Sequence, residues 1–301
     1  MALLSPHAYA RLPTEQANPR TRNIDRKSAF DIVRLIVAED RCVPQAVFRV
    51  ARPLARGVDA LARSLSRGGS VLILGAGTSG RLAVLEAAEC PPTFNTTPRQ
   101  IRAIIAGGPK SVFRAKEGAE DDPALGRRAA ASVRRGDAVV GVAASGVTPF
   151  VRAALAEARK RGARTILVTS NDRREGRFAD IVIAPMVGPE VVTGSTRLKA
   201  GTAAKLVLNA LTTGAMIRIG KVYDHWMVDV QPTSRKLRLR GERIVADLGL
   251  VKPAVARALL RASAGSVKIA VVMARRGLSS QEAGRALARA GGALRSALGD
   301  A

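Results

Sequence analysis

The segment VLILGAGTSGRLAV, residues 71–84, decides the fold of this chain. Four apolar residues, Val71 to Leu74, run directly into the glycine-rich turn GAGTSG of residues 75–80, and a stretch with helical periodicity follows. A short apolar run that ends at glycine is typical of a fully buried strand. The order of strand, glycine turn and helix predicts the first half of a βαβ unit.

Further short apolar runs follow along the chain, and helical stretches separate most of them. The strand candidates cover residues 101–106, 138–143, 165–168 and 181–184, and the helical stretches cover 81–89, 124–135, 149–161 and 200–219. This alternation predicts an α/β fold with a parallel five-stranded sheet flanked by helices. We assign residues 1–67 to an N-terminal arm and helices, 68–235 to the sheet domain, and 236–301 to a small C-terminal helical domain.

Composition narrows the function classes. Hydrophobic residues make up 47% of the 301 residues, which is typical of a globular protein and argues against wholesale disorder. The net charge of +25 comes from basic residues scattered over the whole chain, so we expect a solvated surface that attracts anionic metabolites, with neither nucleic acid nor membrane as a partner. Two cysteines make neither a disulfide framework nor a zinc cluster, and the polar start predicts a cytoplasmic protein.

The glycine turn itself matches G-x-G-x-x-G, which occurs in dinucleotide-binding folds. Such a site needs an acidic residue at the end of the second strand to hold the ribose, but IAGGPK at residues 105–110 contains none. A phosphate site fits better, because Thr78 and Ser79 place hydroxyl groups at a helix N-terminus, which favours anions.

Two more loops repeat this hydroxyl-and-glycine chemistry. Ser145 and Gly146 follow the third strand, and Ser195 and Thr196 lie shortly before Lys199 at the start of a long helix. Ligands in open α/β sheets bind outside the carboxyl ends of the strands, so three such loops predict a cradle for a sugar phosphate. The alternative is that these Ser and Thr residues only cap helices.

Seven segments carry a resemblance to a known family. They are LGAGTSGRL at residues 74–82, ECPPTF at 89–94, AGG at 106–108, EGAED at 117–121, GVAASG at 141–146, VVTGSTRLKAGT at 191–202 and MVDV at 227–230. With these segments the chain resembles the sugar isomerase (SIS) family of phosphosugar-binding domains and, within it, the etherases that act on N-acetylmuramic acid 6-phosphate. The resemblance implies a lyase that releases D-lactate by elimination and then adds water, as a homodimer with neither metal nor organic cofactor.

The resemblance also assigns roles to residues. Glu120 would be the base at carbon 2 of the sugar, and Glu89 would protonate the departing lactate; spacing alone leaves Glu117 and Asp121 as possible substitutes for Glu120. The apolar neighbours of Glu89, if they shelter its carboxyl, would raise its pKa. The residues expected to bind the substrate and its phosphate are Thr78, Ser79, Gly80, Ser145, Gly146, Ser195, Thr196 and Lys199.

One departure and other functions stay open. Val147 stands where the family pattern leads us to expect an arginine, which would weaken the grip on phosphate. The main alternative function is a non-catalytic SIS-type regulator that binds a phosphosugar. An aldose–ketose isomerase would share the loops but would not need the ECPP segment. An SIS transcription factor would need a recognition helix, and residues 25–67 offer no convincing one.

Overall fold

A computed structural model describes residues 6–171, 178–232 and 234–300. Residues 1–5 of the predicted N-terminal arm and residue 301 of the predicted C-terminal domain therefore lie outside the described residues. Each of the predicted strands is present, and together they form one parallel sheet in the order β2-β1-β3-β4-β5. The strands are β1 (Val71–Gly75), β2 (Ile101–Ile105), β3 (Ala138–Val142), β4 (Arg164–Val168) and β5 (Ile181–Ile183).

Helices precede the sheet, connect its strands and form the C-terminal part of the chain. Those before and within the sheet region are α1 (Pro6–Ala10), α2 (Ala29–Asp40), α3 (Cys42–Arg49), α4 (Ala51–Ser66), α5 (Gly77–Phe94), α6 (Pro123–Ala129), α7 (Pro149–Lys160) and α8 (Lys199–Arg218). Those after it are α9 (Arg235–Gly249), α10 (Pro253–Ala262), α11 (Val267–Arg276), α12 (Ser280–Arg289) and α13 (Leu294–Leu298). The predicted α/β class with a five-stranded parallel sheet is confirmed. Within the described residues, every helix is too short or too polar to cross a membrane.

The chain divides into two compact units. The first contains residues 1–88 and 99–212, and the second contains 89–98 and 213–301. The division falls after residue 212, earlier than the expected boundary at 235, and it groups the end of α5 with the C-terminal helices.

Each unit has its own apolar core. In the first, β1 and β3 are buried along their whole length, and Phe150, Val151 and Leu155 of α7 pack against the sheet. In the second, Ile244 and Val245 of α9 pack with Val271 of α11 and with Val228 and Val230. The 267–273 run, which could be read as strand or helix from its sequence, is helical.

Two helices differ from their predicted lengths. The helix expected over 124–135 ends at Ala129, where the Ala130 amide turns back to bond the carbonyls of residues 126–128. The helix expected over 81–89 extends from Gly77 to Phe94 and includes Pro91 and Pro92. The catalytic candidate Glu89 is therefore inside a helix, rather than at its end.

Candidate functional site

A cavity in the first unit lies at the carboxyl ends of β3 and β4. It is lined by Ser79 from α5, by residues that follow the strands, and by the start of α8; the lining residues are Ser79, Val142, Ala144, Val168, Thr169, Ser170, Pro185, Thr196, Ala200, Gly201 and Ala204. Residues from all three predicted loops therefore border one cavity, at the edge of the sheet where ligands of open α/β folds bind.

The first loop is a tight turn between β1 and α5. A Cβ atom on Gly75 would lie 2.8 Å from the Gly80 nitrogen, and one on Gly80 would lie 2.5 Å from a side-chain carbon of Ile105. Both glycines thus serve close packing, so Gly80 contributes shape to the site and no side-chain contact. The turn leaves Thr78 and Ser79 in the first helical turn, and Thr78 faces Gly201 of α8, whose added Cβ would lie 3.6 Å from its methyl group.

The second loop is locked to the loop that follows β4. The Ala144 carbonyl accepts hydrogen bonds from the Ser170 amide (3.0 Å), the Thr169 hydroxyl (3.1 Å) and the Asn171 side-chain amide (2.8 Å). Gly146 has a φ of +71°, and a Cβ there would lie 2.9 Å from Thr169 Oγ1. The Ser145 hydroxyl accepts a bond of 3.3 Å from the Val147 amide, so this departure from the family pattern leaves the turn intact.

The third loop is held by two buried carboxylates. Glu190, which is fully buried, accepts hydrogen bonds of 2.9 Å from the amides of both Lys199 and Ala200 at the start of α8. The Lys199 ammonium group is also fully buried and lies 2.8 Å from Glu39 Oε2. This placement differs from the expectation that Lys199 binds the substrate, because its charge is engaged inside the protein. Arg197, two residues earlier, is exposed.

These contacts distinguish the three helix N-termini. The first two amides of α8 donate to Glu190, while α7 begins with Pro149, which has no N–H, and its Phe150 amide donates to the Glu120 carbonyl at 3.0 Å. The amides of Thr78 and Ser79 have no partner among the described residues. The start of α5 is thus the N-terminus best placed to bind an anion in this cavity.

Glu120 lies in the connection between β2 and α6, and it is part of an acidic group. Its side chain contacts solvent, but partial burial and, to a smaller extent, the carboxylates of Asp121 and Glu117 raise its pKa. The Tyr9 hydroxyl hydrogen-bonds Glu15, and burial together with Glu15, Glu120 and Asp121 raises the pKa of Tyr9. A carboxylate with a raised pKa is a stronger base, as proton removal from a sugar carbon requires.

Glu89 lies on α5, in the segment that groups with the second unit. Its side chain is exposed, whereas its neighbour Cys90 is buried. The surrounding Ala, Pro and Cys residues therefore do not shelter this carboxyl group in the single chain, because their apolar side chains follow the helix without covering it.

The sequence does not predict several residues at the site. Thr169 and Ser170 line the cavity, and only their position directly after β4 could have indicated this role. Glu39 lies 160 residues before Lys199, and Glu190 lies directly before the 191–202 segment, but no local pattern marks either of them as a partner of α8. Ser195 lies in the third loop outside the cavity lining, where its carbonyl accepts a 3.2 Å bond from the Leu198 amide. The ligand roles of all ten predicted site residues stay predictions.

Two family models and several known proteins are similar to this chain. The family models that match are the glucokinase regulatory protein N-terminal SIS domain, over residues 53–159, and the SIS domain, over residues 118–214. An N-acetylmuramic acid 6-phosphate etherase of Brucella anthropi is 47% identical over 96% of this chain and 95% of its own length. Etherases of the same name from Mycolicibacterium smegmatis (46% identical; 96% of this chain, 98% of the relative) and Symbiobacterium thermophilum (50%; 87% and 88%) are also similar.

Proposed function

Since the chain belongs to the N-acetylmuramic acid 6-phosphate etherase family, we propose that it is the carbon–oxygen lyase that its relatives are named for. It cleaves the lactyl ether of N-acetylmuramic acid 6-phosphate and yields N-acetylglucosamine 6-phosphate and D-lactate. The observation that carries this proposal is the identity of 47% over 96% of the chain. The cavity bordered by three hydroxyl-bearing loops supports a sugar phosphate as the substrate.

The first step of the proposed reaction is proton removal from carbon 2 of the ring-opened sugar. We assign it to Glu120, whose pKa is raised by partial burial and by Asp121 and Glu117. The electron pair of the broken carbon–hydrogen bond forms a double bond between carbons 2 and 3. The bond from carbon 3 to the lactyl oxygen breaks, and its electrons leave with that oxygen.

The departing oxygen needs a proton, since an alkoxide is a poor leaving group. We assign this proton to Glu89, as the resemblance implies. The Glu89 carboxylate then takes a proton from water as the water oxygen bonds to carbon 3, and Glu120 returns its proton to carbon 2. The sum of these steps is the exchange of a lactyl ether for a hydroxyl group, and both glutamates regain their starting states.

We place the phosphate at the start of α5. The amides of Thr78 and Ser79 and the Ser79 hydroxyl supply hydrogen-bond donors there, and the helix dipole favours a negative charge. Thr196 from the third loop and Ser145 from the second add hydroxyl groups. No metal or organic cofactor has a part in this scheme, and we propose that the enzyme acts in the cytoplasm as a homodimer.

The proposal is tested by incubating the purified protein with N-acetylmuramic acid 6-phosphate and measuring D-lactate. We expect stoichiometric lactate and N-acetylglucosamine 6-phosphate from the wild-type protein. In the Glu120→Gln variant we expect the rate to fall by about 100-fold or more, since general-base catalysis contributes roughly 10²–10⁴-fold. Glu117→Gln is the matched control, and it should retain most of the activity. Binding of the phosphosugar without lactate release would instead favour the regulator.

A further inference from the structure

The buried ion pair between Lys199 and Glu39 has no part in the reaction proposed above, although it adjoins the cavity. Lys199 is the first residue of α8; Thr196, three residues before it, and Ala200 and Gly201, immediately after it, line the cavity. Its ammonium group lies 2.8 Å from Glu39 Oε2, and both side chains are almost completely buried. A contact of this kind fixes where the third loop enters the helix.

Glu39 has partners from two parts of the first unit, the segment of residues 18–20 and the start of α8. In addition to Lys199, it accepts a 2.9 Å hydrogen bond from the Arg20 guanidinium and a 2.8 Å bond from the Asn18 side-chain amide. The Asn18 side chain also lies 3.4 Å from the Pro189 carbonyl, next to Glu190. These contacts, with Arg20 the largest cause, lower the pKa of Glu39 to about 2, so it is ionised at neutral pH.

Glu190 completes the arrangement. Its two carboxylate oxygens take the first two amides of α8, so this helix end is already neutralised by a protein carboxylate. The start of α8 is thus fixed through its backbone by Glu190 and through the Lys199 side chain by Glu39. Neither carboxylate lines the cavity, so any effect on the substrate passes through the loop.

We propose that Glu39 and Lys199 are positioning residues, whose buried ion pair holds the third loop in the geometry that binds the phosphate end of the substrate. The inference rests on the proposed function for the nature of the ligand. It predicts a specific kinetic signature: loss of the pair weakens substrate binding, while the chemical steps at carbons 2 and 3 keep their rate. A purely structural role would lower the amount of folded enzyme and leave KM unchanged.

Lys199→Met is the cleanest variant, because Glu39 keeps Arg20 and Asn18 as partners and is not left as an isolated buried charge. The loss of one hydrogen-bonded ion pair next to the loop should raise KM for the substrate by about tenfold, with kcat within about threefold of wild type. The Kd for N-acetylglucosamine 6-phosphate, measured by calorimetry, should rise by a similar factor. This binding measurement does not depend on turnover, so it separates the inference from the proposed function.

Lys268→Met is a closely matched control in the second unit. Lys268 is also almost completely buried, and it lies 3.1 Å from Asp229, which keeps Lys221 as a partner at 2.7 Å. Both variants remove a buried ammonium group from a carboxylate that keeps another cationic partner, and Lys268→Met also removes a 2.8 Å hydrogen bond to the Gly292 carbonyl. We expect Lys268→Met to lower the melting temperature but to leave KM and the product Kd at wild-type values.

A double variant checks that the two residues act through one contact. Glu39→Gln/Lys199→Met should bind the product no more weakly than the weaker of the two single variants, since coupled residues are not additive. An unchanged Kd in folded Lys199→Met would overturn the inference, and so would an equal loss of affinity in Lys268→Met. Multiplied losses in the double variant would also contradict it.

Discussion

The backbone carbonyl of Glu120 accepts a hydrogen bond of 3.0 Å from the amide of Phe150, in the first turn of α7. This bond ties the proposed base to the helix that follows the Ser145 turn. Phe150 is itself buried in the core against the sheet, so the position of Glu120 depends on the packing of α6 and α7.

Gly126→Ala should disturb the hydrogen bond between the Phe150 amide and the Glu120 carbonyl. An added Cβ on Gly126 of α6 would lie 2.2 Å from the Phe150 carbonyl oxygen, so α6 and α7 must separate. We expect a loss of about 1–3 kcal/mol in the free energy of unfolding, as for other overpacked sites. We also expect a lower kcat with KM nearly unchanged, because the base moves while the phosphate site at the start of α5 stays. Gly284→Ala, where the nearest atom is 3.9 Å from the added Cβ, is the control. An unchanged kcat in Gly126→Ala would show that this packing does not position Glu120.

The pH dependence of the reaction should report the charges around Glu120. The base must be ionised, so kcat/KM should fall as the pH drops through the raised pKa of Glu120. Asp121→Asn removes a repelling carboxylate and lowers that pKa, so the acidic limb of the pH–rate profile should move to lower pH. Glu117→Gln should move it in the same direction by less. Glu157→Gln, which removes a carboxylate paired with Arg161 on α7, should leave the limb in place. A limb that moves to higher pH in Asp121→Asn would exclude Glu120 as its source.

The roles of Glu89 and Glu120 should be distinguishable when proton exchange and lactate release are measured in the same sample. Glu89→Gln keeps the proposed base but lacks the acid, so it should exchange the carbon 2 proton with deuterated water and release little lactate. Glu120→Gln should do neither. Nuclear magnetic resonance of the carbon 2 proton follows the first step, and an enzymatic lactate assay follows the second. Wild-type lactate release by Glu89→Gln would remove it from the mechanism.

The phosphate site at the start of α5 can be tested through Ser79. Ser79→Ala removes a hydroxyl group from the cavity lining, and a hydrogen bond to a charged group is worth about 1.5–3 kcal/mol. We therefore expect KM to rise by roughly 10–100-fold. The variant should bind N-acetylglucosamine, which lacks the phosphate, as wild type does. Ser132→Ala removes a hydroxyl group that binds Arg102 outside the cavity, and its KM should be unchanged. An equal loss of affinity for the phosphosugar and for N-acetylglucosamine would show that Ser79 does not contact the phosphate.

The sheet could be predicted from sequence because each strand is a short, mostly apolar run, and helical stretches separate most of these runs. The position of the cavity could also be predicted, because ligands bind at the carboxyl ends of parallel strands. Ser79 and Thr196, which are predicted on this basis, line the cavity. The roles of Glu39 and Glu190 could not be predicted, because the partners of a buried charge are set by tertiary contacts. Glu39 and Lys199, for example, lie 160 residues apart in the chain. For the same reason, the motif alone predicts Lys199 as a substrate-binding residue and gives no sign of its ion pair with Glu39.

The exposure of Glu89 shows a second limit of local pattern. Apolar neighbours in sequence shelter a side chain only if they lie on the same face of the helix, and successive residues of a helix point about 100° apart, from 3.6 residues per turn. Cys90 is buried for this reason, while Glu89 beside it is exposed. Composition around a residue therefore predicts its environment less well than its place in the helical repeat.

The most direct test of the central claim is the reaction of N-acetylmuramic acid 6-phosphate in ¹⁸O-labelled water, with mass spectrometry of both products. Elimination followed by hydration breaks the bond between carbon 3 and the ether oxygen. The account predicts one ¹⁸O atom on carbon 3 of N-acetylglucosamine 6-phosphate and none in D-lactate. Label in the lactate, or no lactate above the level of a protein-free sample, would contradict it.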